Sequence, residues 1–387
     1  MFDKSKKLFP YKDSLNFLSF CSVSPMYGPG AAAGSEYFRR QSESGIRVFE
    51  YYAGPKSILG RFHSLSADLL ATSSDDISVT SNTAEALNMI ANGYPFEPGD
   101  EIISYIHEYP ANHYPWKLQE SRGVKLVLLS DCDPLSGIPE GYARGWSFSE
   151  LEEKITKRTR VIALSHVQFT SGYAADLAKL GALCKENDID LILDVAQSLG
   201  SLPLEPEKYG VAALASAGWK WLLGPVGIGL MYTSPEFRAK IDITMAGADH
   251  MTQGTDYLDH TFSPFSDGRK FEYSTLPVPS VEALSQVIEE VFLKYTVEKI
   301  SEEIFRLQDI VLNTIDRDCF LPLAFEGVHR SGILSVISLK RSAVELSAEL
   351  RRKGILLSER SGYLRFAPHF CTSDEEIQHA VELLNSL

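Results

Sequence analysis

The stretch LILDVAQSLG, residues 191–200, runs from an unbroken apolar segment into an acid and an amide, Asp194 and Gln197. An apolar run of this length, closed by polar residues and glycine, reads as a strand covered on both faces, as in a parallel sheet. Asp194 then falls at the strand's carboxyl end, the edge where α/β sheets bind ligands. The stretch SAGWKWLLGPVGIG, residues 216–229, repeats the arrangement, with Lys220 leaving a second apolar segment in which a free ammonium is costly to bury.

Outward from these two exits, ISVT (77–80), EIISY (101–105), VKLVLL (124–129), RVIALSH (160–166) and GIGLMY (227–232) are short β-rich runs. TAEALNMIAN (83–92), FSELEEKITK (148–157) and AADLAKLGALCKEN (174–187) lie between them with helical spacing. The alternation predicts βαβ units and an α/β fold with a mostly parallel sheet. Beyond the proline-rich STLPVPSVEAL (274–284), a long helical pattern over 281–315 predicts a bridge to a smaller α+β module. The expected division is a large domain over 16–275 and a small C-terminal domain over 276–387, completed by residues 1–15.

An acid, an amide and a lysine at adjoining strand exits are the groups a pyridoxal phosphate (PLP) site uses. The PLP ring accepts electrons well only while its nitrogen is protonated, and a buried carboxylate beside that nitrogen raises its pKa. Asp194 is offered for that role, Gln197 for a hydrogen bond to the ring's phenolic oxygen, and Lys220 for the imine. Taken alone, Asp194 also suits a turn or helix cap. In VTSNTAEALNMIA (79–91) a strand, a polar turn and a helix start offer backbone N–H groups and the Thr83 hydroxyl to a phosphate, or simply a cap at Asn82 or Thr83. GPVGIG precedes a strand rather than opening a helix, which rejects a dinucleotide fingerprint.

From LNFLSFCSVSP to LRFAPHFCTSDEEI the chain resembles the class V aminotransferase family of fold-type I PLP enzymes, which includes cysteine desulfurases, kynureninase and isopenicillin N epimerase-like proteins. The resemblance implies Asp194 as pyridinium partner, Gln197 as ring-oxygen partner, Ser216 as a phosphate-binding serine and Lys220 as imine lysine. It implies a phosphate loop at Asn82, Thr83 and Ala84, where Ala84 replaces a common threonine. In EYPANHYPW (108–116) it puts Tyr109 where the family's ring-stacking histidine stands, and Trp219 where desulfurases carry histidine. In SERSGYLRFAPHFCTSDEEI (358–377) it gives Arg365 the substrate carboxylate, with Arg360 a weaker candidate. A guanidinium fork suits a carboxylate through two parallel hydrogen bonds. No room exists between Arg360 and Arg365 for the cysteine-bearing loop of the desulfurases, and Cys371 and Cys21 read as packing rather than nucleophiles. In FEYSTLPVP (271–279) the resemblance implies a homodimer with shared active sites, Thr275 reaching the partner's cofactor phosphate. Otherwise STLP is a turn before the bridge.

The net charge of −14 over 387 residues, with no basic tract, speaks against nucleic acid and anionic membranes as partners. No apolar run reaches membrane-spanning length and MFDKSKKLFPYKD lacks a signal peptide's apolar core, so the expectation is a cytoplasmic enzyme. Five scattered cysteines without a C-x-x-C pair indicate neither disulfides nor a zinc site, and no metal is expected. The expected activity is on an α-amino acid through the lysine imine and a Cα carbanion, foremost a C–S or C–C lyase, with an aminotransferase or epimerase as alternatives. A non-catalytic PLP-binding regulatory module is disfavoured, because the family-like region starts within the first 15 or so residues and Lys220 is intact.

Overall fold

The computed structural model describes residues 2–45 and 57–387. Its main sheet is built from β2 (Ile77–Thr80), β3 (Glu101–Tyr105), β4 (Lys125–Leu129), β5 (Thr159–Ser165), β6 (Asp190–Asp194), β7 (Val211–Ala217) and β8 (Gly229–Thr233), in the order β2-β8-β7-β6-β5-β3-β4. Only β8 runs against its neighbours, so the sheet is mostly parallel. The apolar runs are continuous because both faces are covered. Leu191, Leu193 and Leu214 face a core that includes Trp221, Val281 and Leu284, whereas Ile192, Ala213 and Ala215 face Ala86, Leu87 and Ile90 of the helix Thr83–Gly93.

Register fixes the edge that matters. Ser165 of β5 pairs with Asp194 of β6, and Asp194 with Ala215 of β7, so these three positions lie in a row at the strands' carboxyl ends. The chain then crosses from β7 to β8 through an eleven-residue loop, 218–228, whose ends close back on each other. A Cβ at Gly229 would stand 2.2 Å from the Ser216 carbonyl oxygen, so this close approach requires glycine.

A second sheet, order β12-β13-β10-β9, is antiparallel and comprises β9 (Phe320–Pro322), β10 (Leu334–Ser338), β12 (Ser358–Arg360) and β13 (Tyr363–Phe366). The N-terminal strand β1 (Asn16–Phe17) pairs in parallel with β11 (Ile355–Leu356), and Ser19 bridges to Ala367. The bridge expected over 281–315 is two pieces. A helix from Val278 to Val287 continues through a π-helical segment, Ile288–Leu293, and the chain breaks at Thr296 (φ 64) before the helix Val297–Thr314. Left-handed backbone at a β-branched residue ends a helix that the apolar periodicity alone carries through. Among the described residues, no helix is long and apolar enough to cross a membrane.

Candidate active site

Lys220 sits in the β7–β8 turn, held by its backbone. Its carbonyl accepts from Leu223 N at 3.0 Å and Ser24 Oγ at 2.7 Å, and Ser24 N donates to the Trp219 carbonyl at 2.9 Å. Leu223, fully buried, adopts φ 55, a conformation that costs a non-glycine residue about 1 kcal/mol. The turn is therefore held in place by its surroundings rather than by local preference. Burial pushes the Lys220 ammonium down from the ordinary lysine range; Asp194 opposes this, and Arg365 and Arg360 add to it. Nζ lies 5.5 Å from the centroid of the Tyr109 ring.

Asp194 is buried, accepts from Ala196 N at 2.9 Å, and is pushed up by burial while Lys220 pulls it down. Gln197 donates Nε2–H to the Cys21 carbonyl at 2.9 Å and accepts from Trp221 Nε1 at 3.1 Å, leaving one amide hydrogen unspent. Arg365 is buried on β13. Its Nη1 donates to the Phe169 carbonyl at 2.6 Å and Nη2 to Ser358 Oγ at 2.9 Å, while Nε has no partner. Among the described residues no carboxylate comes within ion-pair distance of this guanidinium. A buried cation without a counter-ion is costly, so an anionic ligand there restores the missing partner.

The segment EYPANHYPW is a hydrogen-bonded scaffold. Trp116 Nε1 donates to Asn112 Oδ1 at 2.9 Å, and Glu108 accepts from Ser165 N at 2.7 Å and from the Ser165 hydroxyl. Tyr109, held between them and 46% exposed, packs edge-on against Phe169 at 5.2 Å. In this segment the sequence points to Tyr109 alone. Glu108 stands at the head of the same motif and was the available signal.

At the helix Thr83–Gly93, the Asn82 side chain caps Glu85 N at 2.9 Å, so the capping reading describes that side chain. The N–H groups of Thr83 and Ala84 lie in the first turn, where no intrahelical acceptor exists and the helix dipole favours an anion. Ser216 is placed elsewhere. It alternates with Ala215 and shares the face of Leu214, opposite that helix, and its hydroxyl is turned back to the Ala217 carbonyl at 3.2 Å. The family resemblance implies a phosphate ligand here, but strand alternation points this serine away from the helix's first turn. Thr275 is exposed, beside Leu276, which together with Ile58 and Leu59 packs against the pair Tyr37 and Val278. Cys371 is buried against Tyr11, with its thiol pushed up to about 11 by burial, which suits packing.

An acid and a lysine with displaced pKa values and a helix N-terminus at the main sheet's edge, with the Arg365 guanidinium of β13 acting on the lysine from the second sheet, fit PLP carrying an amino acid, and the fold is that of PLP-dependent enzymes. The aminotransferase class-V family model matches residues 32–363, and the chain belongs to that family of PLP-dependent enzymes. It is 25% identical over 276 residues to a probable cysteine desulfurase of Methanothermobacter thermautotrophicus, covering 70% of this chain and 66% of that one. It is 33% identical over 174 residues to a probable cysteine desulfurase of Pyrococcus abyssi, covering 44% of this chain and 41% of the relative. An uncharacterised aminotransferase, YcbU of Bacillus subtilis, is 21% identical over 381 residues, 98% of this chain and 96% of its own. In fold the chain is similar to the cystine C–S lyase C-DES in complex with cysteine persulfide (TM-score 0.87, 20% identity, 98% and 99% of the two chains). It is likewise similar to the cysteine desulfurase CsdA of Escherichia coli (TM-score 0.81, 20% identity, 100% and 98%).

Proposed function

We propose that this chain is a cytoplasmic C–S lyase acting on a cysteine-type amino acid, with Lys220 as imine lysine and acid–base group, Asp194 as pyridine partner and Arg365 as carboxylate anchor. The observation that carries the amino-acid reading is the buried Arg365 guanidinium without a carboxylate partner, facing the same site as Lys220. Sulfur specificity is supported by the names of the relatives. Bound PLP supplies a sink for negative charge developing at the substrate's α-carbon. Arg365 fixes the carboxylate and so sets which α-bond is loaded. Lys220 Nζ, with its basicity lowered by burial, takes the α-proton and returns it to the departing sulfur. Tyr109 and Phe169 cover the site, and the Thr83 and Ala84 N–H groups hold the phosphate. Cys371 is buried against Tyr11, so on this reading the sulfur departs with the product rather than onto that thiol. The domain boundaries near residues 16 and 275 and a homodimer with Thr275 in the partner's site belong to the same reading.

The test is holoenzyme incubated with cysteine, cystine and a panel of other amino acids, following pyruvate, ammonia, sulfide and pyridoxamine phosphate separately. Pyruvate with persulfide or sulfide is expected. Accumulation of pyridoxamine phosphate instead would make the chain a transaminase. Borohydride should fix the cofactor on the Lys220 peptide alone, and labelling of another lysine would overturn the assignment.

A further inference from the structure

We propose that Glu108 and Asp194 form a carboxylate pair across the ends of β5 and β6, in which Glu108, a positioning residue, takes up the proton and leaves the charge to Asp194. The inference rests on Asp194 being the pyridine partner.

Glu108 reaches the sheet edge from the turn after β3. Its two oxygens are taken by the backbone N–H and the hydroxyl of Ser165, and Ser165 is the register partner of Asp194 on the next strand. Buried Asp194 at the end of β6 and half-buried Glu108 in the turn after β3, with only Ser165 of β5 between them, do not both ionise cheaply. Asp194 has Lys220 to offset its charge and the Ala196 N–H to bind it. Glu108 has only Ser165 and the nearby Asn112 amide, and no cation stands within ion-pair distance of it among the described residues. Tyr105 of β3 also feels the Glu108 charge, but its hydroxyl is committed to Asp131 and burial suppresses its acidity. The proton therefore falls to Glu108, whose carboxyl is pushed up to about 7, by burial first, with the charge of Asp194 adding to it. A tie serving only to brace the Tyr109 turn would need acceptor oxygens and no such proton.

The test is a difference-infrared pH titration of holoenzyme over the carboxylic acid region, run beside the visible band of the lysine-bound cofactor. Wild type should show a carboxyl band titrating near pH 7, with a matching step in the visible band. Glu108→Gln should lose both while keeping its melting temperature. Ser165→Ala removes a hydrogen bond that favours the ionised form and should move the midpoint up. Asp194→Asn removes the neighbouring charge and should move it down. A Glu108→Gln titration superimposable on wild type, or midpoints unmoved by Ser165→Ala and Asp194→Asn, overturns the pair. Turnover of Asp194→Asn separately tests the pyridine assignment: near-normal turnover would sink that assignment, whereas the infrared midpoints still decide the pair.

Discussion

The indole N–H of Trp221 donates to Gln197 Oε1 at 3.1 Å, and this one bond decides which end of the Gln197 carboxamide faces the site. An indole nitrogen only donates, so the amide oxygen must turn toward it. The NH2 group is then left with the Cys21 carbonyl and one free hydrogen.

Trp221→Phe leaves that buried oxygen without a donor, at a cost of about 1–3 kcal/mol, and frees the amide to turn over. The variant should melt lower than wild type and lose PLP faster on dialysis. Unchanged PLP release would mean Gln197 is oriented by something else.

His369 gives a pH dependence. Its Nδ1 accepts from Phe370 N at 2.9 Å, so its Nε2–H donates to the Trp221 carbonyl at 3.0 Å, and a second proton would abolish the first bond. Burial holds the ring at about 4, below the ordinary value of 6.5, and the same holds for buried His166. A histidine depressed in the folded state binds its proton more readily unfolded. Its stabilisation is full above pH 6.5 and is lost as the pH falls toward 4, by up to about 3 kcal/mol per ring. Urea midpoints should decline across that window, and His369→Gln should flatten part of the decline. Parallel curves for the two proteins would refute this.

Gly229→Ala brings a methyl group against the Ser216 carbonyl oxygen, a backbone atom that cannot swing aside. The β7–β8 pairing must shift, and with it the turn that carries Lys220. We expect a loss of several kcal/mol, at the upper end for single substitutions, and weakened cofactor binding. Chemical denaturation and visible absorbance measure the two effects, and a wild-type melt would mean the strands separate at little cost.

The shared-site proposal predicts complementation. Mixed Lys220→Ala and Thr275→Ala subunits should form hybrids with one wild-type site if the partner donates Thr275, regaining activity over either parent. A stable active monomer in sedimentation, or hybrids no better than an impaired Thr275→Ala parent, would defeat it.

The strands and the Asp194 and Lys220 exits are legible in the sequence because a doubly covered strand is written as an unbroken apolar run. What escaped depends on contacts between distant segments. The face of Ser216 follows from alternation within β7, which the family resemblance hides. Glu108 gains its meaning only when β5 brings Ser165 beneath it. The break at Thr296 is invisible because both flanking helices keep the same apolar rhythm. Asn82 was legible as a cap, and the structure uses it as one.

The pairing of β1 with β11 also orders events during synthesis. Residues 16 and 17 leave the ribosome early and wait unpaired until 355 and 356 have emerged, while the main sheet, complete by residue 233, can fold in between. Cys21 and Ser24, which steady Gln197 and the Lys220 carbonyl, follow directly on that late-pairing strand. The sheet is thus complete in sequence before the segment that sets the braces around its lysine has found its partner strand.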